Sequence, residues 1–80
     1  MDRKSILLKY IQDEFVRGRG QLTEDEDLLS GGILNSLGIL QLVAFIEERF
    51  NLQVPDEDVV FENFQSVNAL SNYLEQLSTV

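Results

Sequence analysis

The sequence contains no cysteine, no histidine and no tryptophan. Without cysteine there are no disulfide bonds and no thiolate chemistry, and without histidine the commonest general base and a usual ligand of transition metals are missing. At 80 residues, the chain is too short to bury both a stable core and a deep catalytic pocket. We therefore expect one small domain, covering residues 1–80, that is not an enzyme.

Basic residues are scarce in the last three quarters of the chain. Residues 1–20 hold five basic and three acidic residues, whereas residues 21–80 hold one basic and eleven acidic residues, and the net charge is −8. Such a surface repels nucleic acids and anionic membranes, attracts partners with basic patches and favours a monomer. A solvated surface without any binding role is the plainer explanation of the acidity taken alone.

Long apolar runs are absent as well. No run approaches the roughly 20 residues that a membrane-spanning helix needs, and the charged start of the chain leads into an amphipathic pattern rather than a secretory signal. We expect no membrane span and a location in the cytoplasm.

An acidic run at residues 24–27 invites comparison with a calcium-binding loop. An EF-hand loop that began at Asp25 would place Leu29 at a ligand position, Ser30 where glycine is needed and Ser36 where a glutamate is needed. We therefore predict a solvated acidic loop and no metal site.

Apolar residues recur at three- and four-residue spacing in three stretches, which predicts helices over residues 2–17, 36–50 and from Ser66 to near the end of the chain. Asp2 and Ser66 are suited to cap the first and last of these helices. Gly18 and Gly20 are expected to end the first helix, and a long loop then runs to about residue 34.

A shorter helix is predicted at residues 56–61, because Val54-Pro55 fixes an extended step before three acidic residues. Val59 and Val60 are expected to pack inward, Asn63 to break the pattern and Phe64 to fill the core. The expected fold class is therefore all-α: a small four-helix bundle with a short third helix and a long loop between helices 1 and 2.

The most informative stretch is Gly31–Val43, in which a glycine pair and the step Asn35-Ser36 lead directly into an apolar helical pattern. A hydroxyl in the first turn of a helix lies near unpaired backbone N–H groups and the positive end of the helix dipole, where a phosphate is favoured. Because asparagine and serine are both common N-caps, the same dipeptide is also explained by helix capping alone.

The second helix is apolar on more than one face. Its core stripe is Ile39, Leu42, Val43, Ile46 and Phe50. Outside that stripe, Leu37, Leu40 and Ala44 form an apolar strip near Ser36, rimmed by Gln41, Glu47 and Glu48. We interpret the strip as a docking face for partner proteins, and burial beneath the long loop is the alternative.

The string Gly-Ile-Leu-Asn-Ser-Leu-Gly-Ile-Leu, followed by Glu-Glu-Arg-Phe at 47–50 and Val-Pro-Asp-Glu at 54–57, resembles the carrier-protein family of acyl, peptidyl and D-alanyl carriers. That family has an Asp-Ser-Leu triplet at the head of its second helix. The resemblance implies that Ser36 carries a 4'-phosphopantetheine arm and that Leu37 matches the third position. Asn35 stands where the family usually has aspartate.

The resemblance also implies how such a protein works. A phosphopantetheinyl transferase attaches the arm, and acyl- or aminoacyl-loading and downstream enzymes of a secondary-metabolite or lipid type pathway use it. These partners would grip the second helix through Asn35 and the strip described above. The glycine-rich run is more similar to free-standing aminoacyl and D-alanyl carriers than to the fatty-acid type.

Two other functions stay open at this stage. The chain could be an acidic helical adaptor that binds a protein through Leu37, Leu40 and Ala44 without any modification. It could also be an inactive carrier relative that the transferase no longer recognises because Asn35 replaces the usual aspartate.

Overall fold

The chain folds into four helices, as described for residues 2–16 and 20–78 by a computed structural model. They are α1 (Arg3–Phe15), α2 (Ser36–Phe50), α3 (Phe61–Phe64) and α4 (Val67–Ser78), with a 3₁₀ turn at Asp56–Asp58. The predicted all-α bundle with a short third helix and a long loop between the first two helices is confirmed.

Helix α1 begins where the sequence predicts. The Asp2 carboxylate accepts a hydrogen bond from the Ser5 backbone N–H at 2.7 Å, which satisfies one of the donors that the first turn leaves unpaired. The helix ends at Phe15, two residues before its predicted end. Gly18, predicted to stop it, lies outside the described residues.

The long loop between α1 and α2 is tied to the rest of the fold by buried side chains and by its backbone. Its apolar anchors Leu22, Leu28, Ile33 and Leu34 are buried. The Leu28 N–H donates to the Gln65 carbonyl at 2.8 Å, and the Asn68 N–H donates to the Glu24 carbonyl at 3.1 Å. The loop therefore holds the start of α2 in place against the start of α4.

The core is built from one apolar stripe of each long helix and the loop anchors. Leu7, Ile11, Leu42, Ile46, Leu70 and Leu74 are fully buried. Phe64 is 1% exposed and fills the space beside α4, as predicted. Ser66 caps α4, since its hydroxyl accepts a hydrogen bond from the Ala69 N–H at 3.1 Å.

The prediction of one helix over residues 56–61 is wrong. The backbone forms a 3₁₀ turn at Asp56–Asp58, becomes extended at Val60 (φ −128°, ψ 162°) and starts α3 only at Phe61. Two adjacent β-branched residues at this point disfavour a continuous helix. Asn63, predicted to break the pattern, lies inside α3, and its side chain donates to the Asp58 carbonyl at 2.9 Å.

The prediction that Val60 packs inward is also wrong. Val60 is 44% exposed, whereas Val59 packs against the core as predicted. An extended backbone alternates its side chains between opposite sides, so only one of the two adjacent valines faces the core.

Candidate functional site

Asn35 caps the start of α2. The sequence left open whether the step Asn35-Ser36 serves helix capping or phosphate attachment, and the structure assigns the capping to Asn35. The Asn35 side-chain oxygen accepts a hydrogen bond from the Gly38 N–H at 2.8 Å. Ser36 is the first residue of the helix and is exposed. Because Asn35 performs the capping, the Ser36 hydroxyl is not needed for it and faces solvent.

The backbone around Ser36 favours a negatively charged group. The Gly38 N–H is taken by the Asn35 side chain and the Ile39 N–H by the Asn35 carbonyl at 2.9 Å. The N–H groups of Ser36 and Leu37, at the first two helical positions, have no partner within an α-helix. These donors and the helix dipole suit a phosphate ester on the Ser36 oxygen.

Gly38 is a residue of this site that the sequence analysis did not single out. It is buried, and a Cβ atom added to it would lie 3.2 Å from Cε1 of Phe15 and 3.3 Å from Oδ1 of Asn35. Those distances are shorter than ordinary van der Waals contact, so glycine lets the end of α1 pack closely against the first turn of α2. A glycine two residues after the candidate serine was the signal for this contact.

The apolar strip on α2 is open to solvent. Leu37 is 64% exposed and Leu40 is 66% exposed, and Ala44, Gln41 and Glu48 are exposed beside them. The alternative that the loop buries these side chains is therefore wrong. Two exposed leucines one helical turn apart form a contiguous apolar patch next to Ser36.

Glu47 differs from the other predicted rim residues. It is half-buried, and its carboxylate accepts a hydrogen bond from the Val54 N–H at 3.0 Å. This bond ties the extended segment after α2 back onto the helix. Glu47 therefore has a structural contact that Gln41 and Glu48 do not show.

Val60 and Phe61 form a second exposed apolar pair that the sequence analysis missed. They are 44% and 53% exposed. Valine and phenylalanine at that point predict burial, and only the extended backbone at Val60 turns them outward. No signal in the sequence distinguished them from core residues.

Two kinds of feature are missing from the described residues: a metal-holding cluster and a membrane-spanning helix. In the described parts of the chain, 2–16 and 20–78, no group of three or more acidic side chains is arranged to hold a metal ion. Within the same residues, no helix is long and apolar enough to cross a membrane. At the start of α2, the exposed Ser36 lies beside the exposed apolar strip.

Comparison with known proteins identifies the family. Residues 5–74 match the family model described as the phosphopantetheine attachment site. The chain is 34% identical over 77 residues to the D-alanyl carrier protein of Streptococcus suis strain 98HAH33, covering 96% of each chain. It is 30% identical over 77 residues, again 96% of each chain, to the D-alanyl carrier protein of Streptococcus mutans serotype c.

Two solved structures are similar as well. A chain in the crystal structure of an FAD-dependent dehydrogenase has a TM-score of 0.80 and 28% identity, covering 86% of this chain and 99% of that chain. A chain in the crystal structure of Bradyrhizobium japonicum glycine:[carrier protein] ligase complexed with glycylated carrier protein has a TM-score of 0.69 and 25% identity. That match covers 89% of this chain and 97% of the other.

The chain therefore belongs to the phosphopantetheine attachment family and is a carrier protein rather than an enzyme. Members of this family bear a covalently attached 4'-phosphopantetheine group. The donors and the open hydroxyl at the start of α2 fit such a group. The resemblance found in the sequence is confirmed.

Proposed function

We propose that Ser36 carries the 4'-phosphopantetheine group. The observation that supports this assignment is the exposed Ser36 hydroxyl at the start of α2, freed from capping by Asn35. The family match over residues 5–74 includes this position. We also propose that residues 1–80 form a single carrier domain.

This chain and its transferase contribute different groups to the modification of Ser36. Without histidine or cysteine, the chain offers no side chain suited to deprotonate the hydroxyl, so the transferase supplies the base. The N–H groups of the first turn stabilise the phosphodiester that results. When attached, the prosthetic group supplies a terminal thiol that holds an acyl or aminoacyl cargo as a thioester.

We propose an amino acid as the cargo. Support comes from two kinds of relative: D-alanyl carrier proteins at up to 34% identity and the complex of a glycine:[carrier protein] ligase with its glycylated carrier protein. An aminoacyl carrier delivers its amino acid to the enzymes of a biosynthetic pathway of secondary-metabolite or lipid type. Because attachment of the arm consumes coenzyme A and loading of an amino acid consumes ATP, we place the protein in the cytoplasm.

The docking face that we propose is the exposed strip Leu37, Leu40 and Ala44, with Asn35, Gln41 and Glu48 at its rim. The phosphopantetheinyl transferase and the loading enzyme approach along it, and basic patches on those partners are attracted by the acidic surface. Glu47 is the rim residue with the least support, because its carboxylate is engaged with the Val54 N–H.

The test of the attachment site is the intact mass of the protein after incubation with coenzyme A and a broad-specificity phosphopantetheinyl transferase. We expect a gain of one phosphopantetheine in the unmodified wild-type protein and none in Ser36→Ala. Ser30→Ala is the matched control, because Ser30 is exposed in the preceding loop and should leave the gain unchanged.

A folded, unmodified wild-type protein that gains no mass would support the inactive relative, and Asn35→Asp would then show whether the missing charge is responsible. A Ser36→Ala variant that retains every cellular function would support the unmodified adaptor instead.

The test of the cargo uses the modified protein with a glycine:[carrier protein] ligase, ATP and glycine, and then with a D-alanyl ligase and D-alanine. We expect a further mass increase of one aminoacyl group that hydroxylamine removes, because thioesters react with it. Loading by acyl-transferring enzymes alone would contradict an aminoacyl cargo while leaving the attachment site intact.

A further inference from the structure

Helices α1 and α2 form between them an open groove on the side of α2 that faces α1. Two adjoining surface depressions meet there and share Ile6 and Arg49. We call it the α1–α2 groove and define it by Arg3, Ile6, Tyr10, Phe45, Arg49 and Phe50.

The floor of the α1–α2 groove is aromatic. Tyr10 and Phe45 stack with ring centroids 3.8 Å apart and ring planes at 10°. Phe45 meets Phe50 edge to face with centroids 6.3 Å apart. All three side chains are half-buried. Rings that hold one another in place present a rigid apolar surface, which is typical of the centre of protein interfaces.

The rim of the groove carries three basic side chains, Arg3, Lys9 and Arg49, and two acidic ones, Asp2 and Asp13. The Asp13 carboxylate pairs with Lys9, and the Asp2 carboxylate accepts a hydrogen bond from the Ser5 N–H. The guanidinium carbons of Arg3 and Arg49 lie 6.0 Å and 5.9 Å from the centre of the Phe50 ring. Arg49 is the single basic residue of positions 21–80, and it joins a basic residue of α1 at this point. Arginine over an aromatic ring is a recurring arrangement at binding surfaces.

Both arginines keep their charge available. Within residues 2–16 and 20–78 the salt bridges are Lys4 with Glu24 and Lys9 with Asp13, and neither involves Arg3 or Arg49. Arg3 donates to the Ser78 hydroxyl at 3.3 Å, which orients it without neutralising it. Two cations without a carboxylate partner are unexpected in a chain of net charge −8, because acidic side chains are plentiful.

The position of the groove separates it from the attachment chemistry. Arg49 lies about 20 Å along α2 from Ser36, at about 1.5 Å per residue over the interval from 36 to 49. A molecule bound between Arg3 and Arg49 would therefore leave Ser36 accessible.

We propose that the α1–α2 groove binds a short acidic segment of a partner protein. The segment places an apolar side chain on the rings of Tyr10 and Phe45 and pairs carboxylates with Arg3 and Arg49, whose planar guanidinium groups match a carboxylate. A second copy of this chain brings another charge of −8, and an extended anionic membrane would face the acidic remainder of the surface. The groove carries one more basic than acidic side chain, and a short segment meets this local excess of positive charge rather than the acidic remainder of the surface.

The test measures binding of a short synthetic amphipathic peptide composed of glutamate, leucine and one tryptophan. The protein contains no tryptophan, so the fluorescence of the peptide reports binding directly. Backbone NMR shifts of the labelled protein locate the contact. We expect shifts clustered at Tyr10, Phe45 and Phe50, and about a tenfold weaker affinity for Arg49→Glu.

Lys4→Glu is the matched control, because it makes the same change of charge on α1 outside the groove. It should leave the affinity nearly unchanged, and transfer of phosphopantetheine to Ser36 should be equal in both variants if they are folded. An equal loss of affinity in Lys4→Glu, or shifts that cluster on Leu37 and Leu40, would overturn the proposal.

Two further outcomes would assign the groove to other occupants and so contradict the proposal. One is self-association in sedimentation that Arg49→Glu abolishes, with no peptide binding. The other is binding to phosphatidylglycerol vesicles that Arg49→Glu abolishes, again without peptide binding.

Discussion

Helix α2 and the segment from 52 to 66 both expose two large apolar side chains, but they hold them in different ways. In α2 the exposed Leu37 and Leu40 lie opposite Leu42 and Ile46, which are fully buried. The helical repeat alone separates the two faces. The exposed side chains of α2 are therefore fixed by a long helix whose other face is in the core.

In the later segment the exposed pair is fixed by hydrogen bonds between distant residues. The Tyr73 hydroxyl donates to the Asp58 carboxylate at 2.6 Å, and Asn63 donates to the Asp58 carbonyl at 2.9 Å. These contacts hold the backbone on either side of Val60. The comparison shows that one exposed surface follows from periodicity and the other from tertiary contacts.

The largest expected effect tests the two faces of α2 against each other. Leu42→Ala removes a fully buried side chain and should lower the free energy of unfolding by about 2–5 kcal/mol. Leu40→Ala, which truncates a side chain that is 66% exposed, should change it by less than about 0.5 kcal/mol. Urea denaturation followed by circular dichroism measures both. Equal losses would mean that the outer face is packed in solution.

The next prediction concerns binding rather than stability. Leu40→Ala should lower kcat/KM for phosphopantetheine transfer to Ser36 about tenfold, equivalent to roughly 1.4 kcal/mol, because an exposed leucine at a docking face loses its partner contact. Val60→Ala is the matched control from the other exposed pair and should reduce kcat/KM less. If kcat/KM falls equally in both variants, the docking face extends over both segments and the contrast between them disappears.

Much of α2 could be predicted from the sequence, and much of the later segment could not. The bounds Ser36–Phe50, the exposed strip and the turn at Asn51 (φ 56°) follow from local spacing and from residue types that favour helix ends. The break at Val60 depends on Asp58, Asn63 and Tyr73 meeting in space, and no local pattern encodes a contact across 15 residues.

The candidate site divides in the same way. The Asn35-Ser36 step predicts a helix start, and the sequence alone could not decide which of the two residues caps it. The hydrogen bond from Gly38 to Asn35 decides this. The engagement of Glu47 with Val54 is a further contact between elements that spacing on the helix does not reveal.

The cap of α2 gives a smaller expected effect. Asn35→Ala removes the acceptor of the Gly38 N–H and should lower the free energy of unfolding by about 1 kcal/mol. Asn35→Asp keeps an acceptor of the same shape and should stay within a few tenths of a kcal/mol of the wild type. Chemical denaturation of the three proteins measures this order. A stability loss in Asn35→Asp equal to that of the alanine variant would contradict the assignment of the cap.

The smallest expected effect is a pH dependence of the later segment. Burial, together with the hydrogen bond to Asp58, raises the pKa of Tyr73 above its ordinary value of 10.0. The pKa of Tyr73 is higher in the folded than in the unfolded protein, so the protonated Tyr73 hydroxyl contributes to the free energy of unfolding. This contribution is fully present below about pH 10 and is lost as the pH rises above it. Tyr10 is the other tyrosine, so a Tyr10→Phe background isolates the absorbance of Tyr73.

In that background the phenolate absorbance of Tyr73 should appear well above pH 10, and Asp58→Asn should move its midpoint to lower pH by removing the negative charge beside the hydroxyl. Helix α2 contains no tyrosine, so the titration reports on the tie between Asp58 and α4 alone. A midpoint at the ordinary tyrosine value, unchanged by Asp58→Asn, would mean that this hydrogen bond does not hold the segment. The exposure of Val60 and Phe61 would then require another cause.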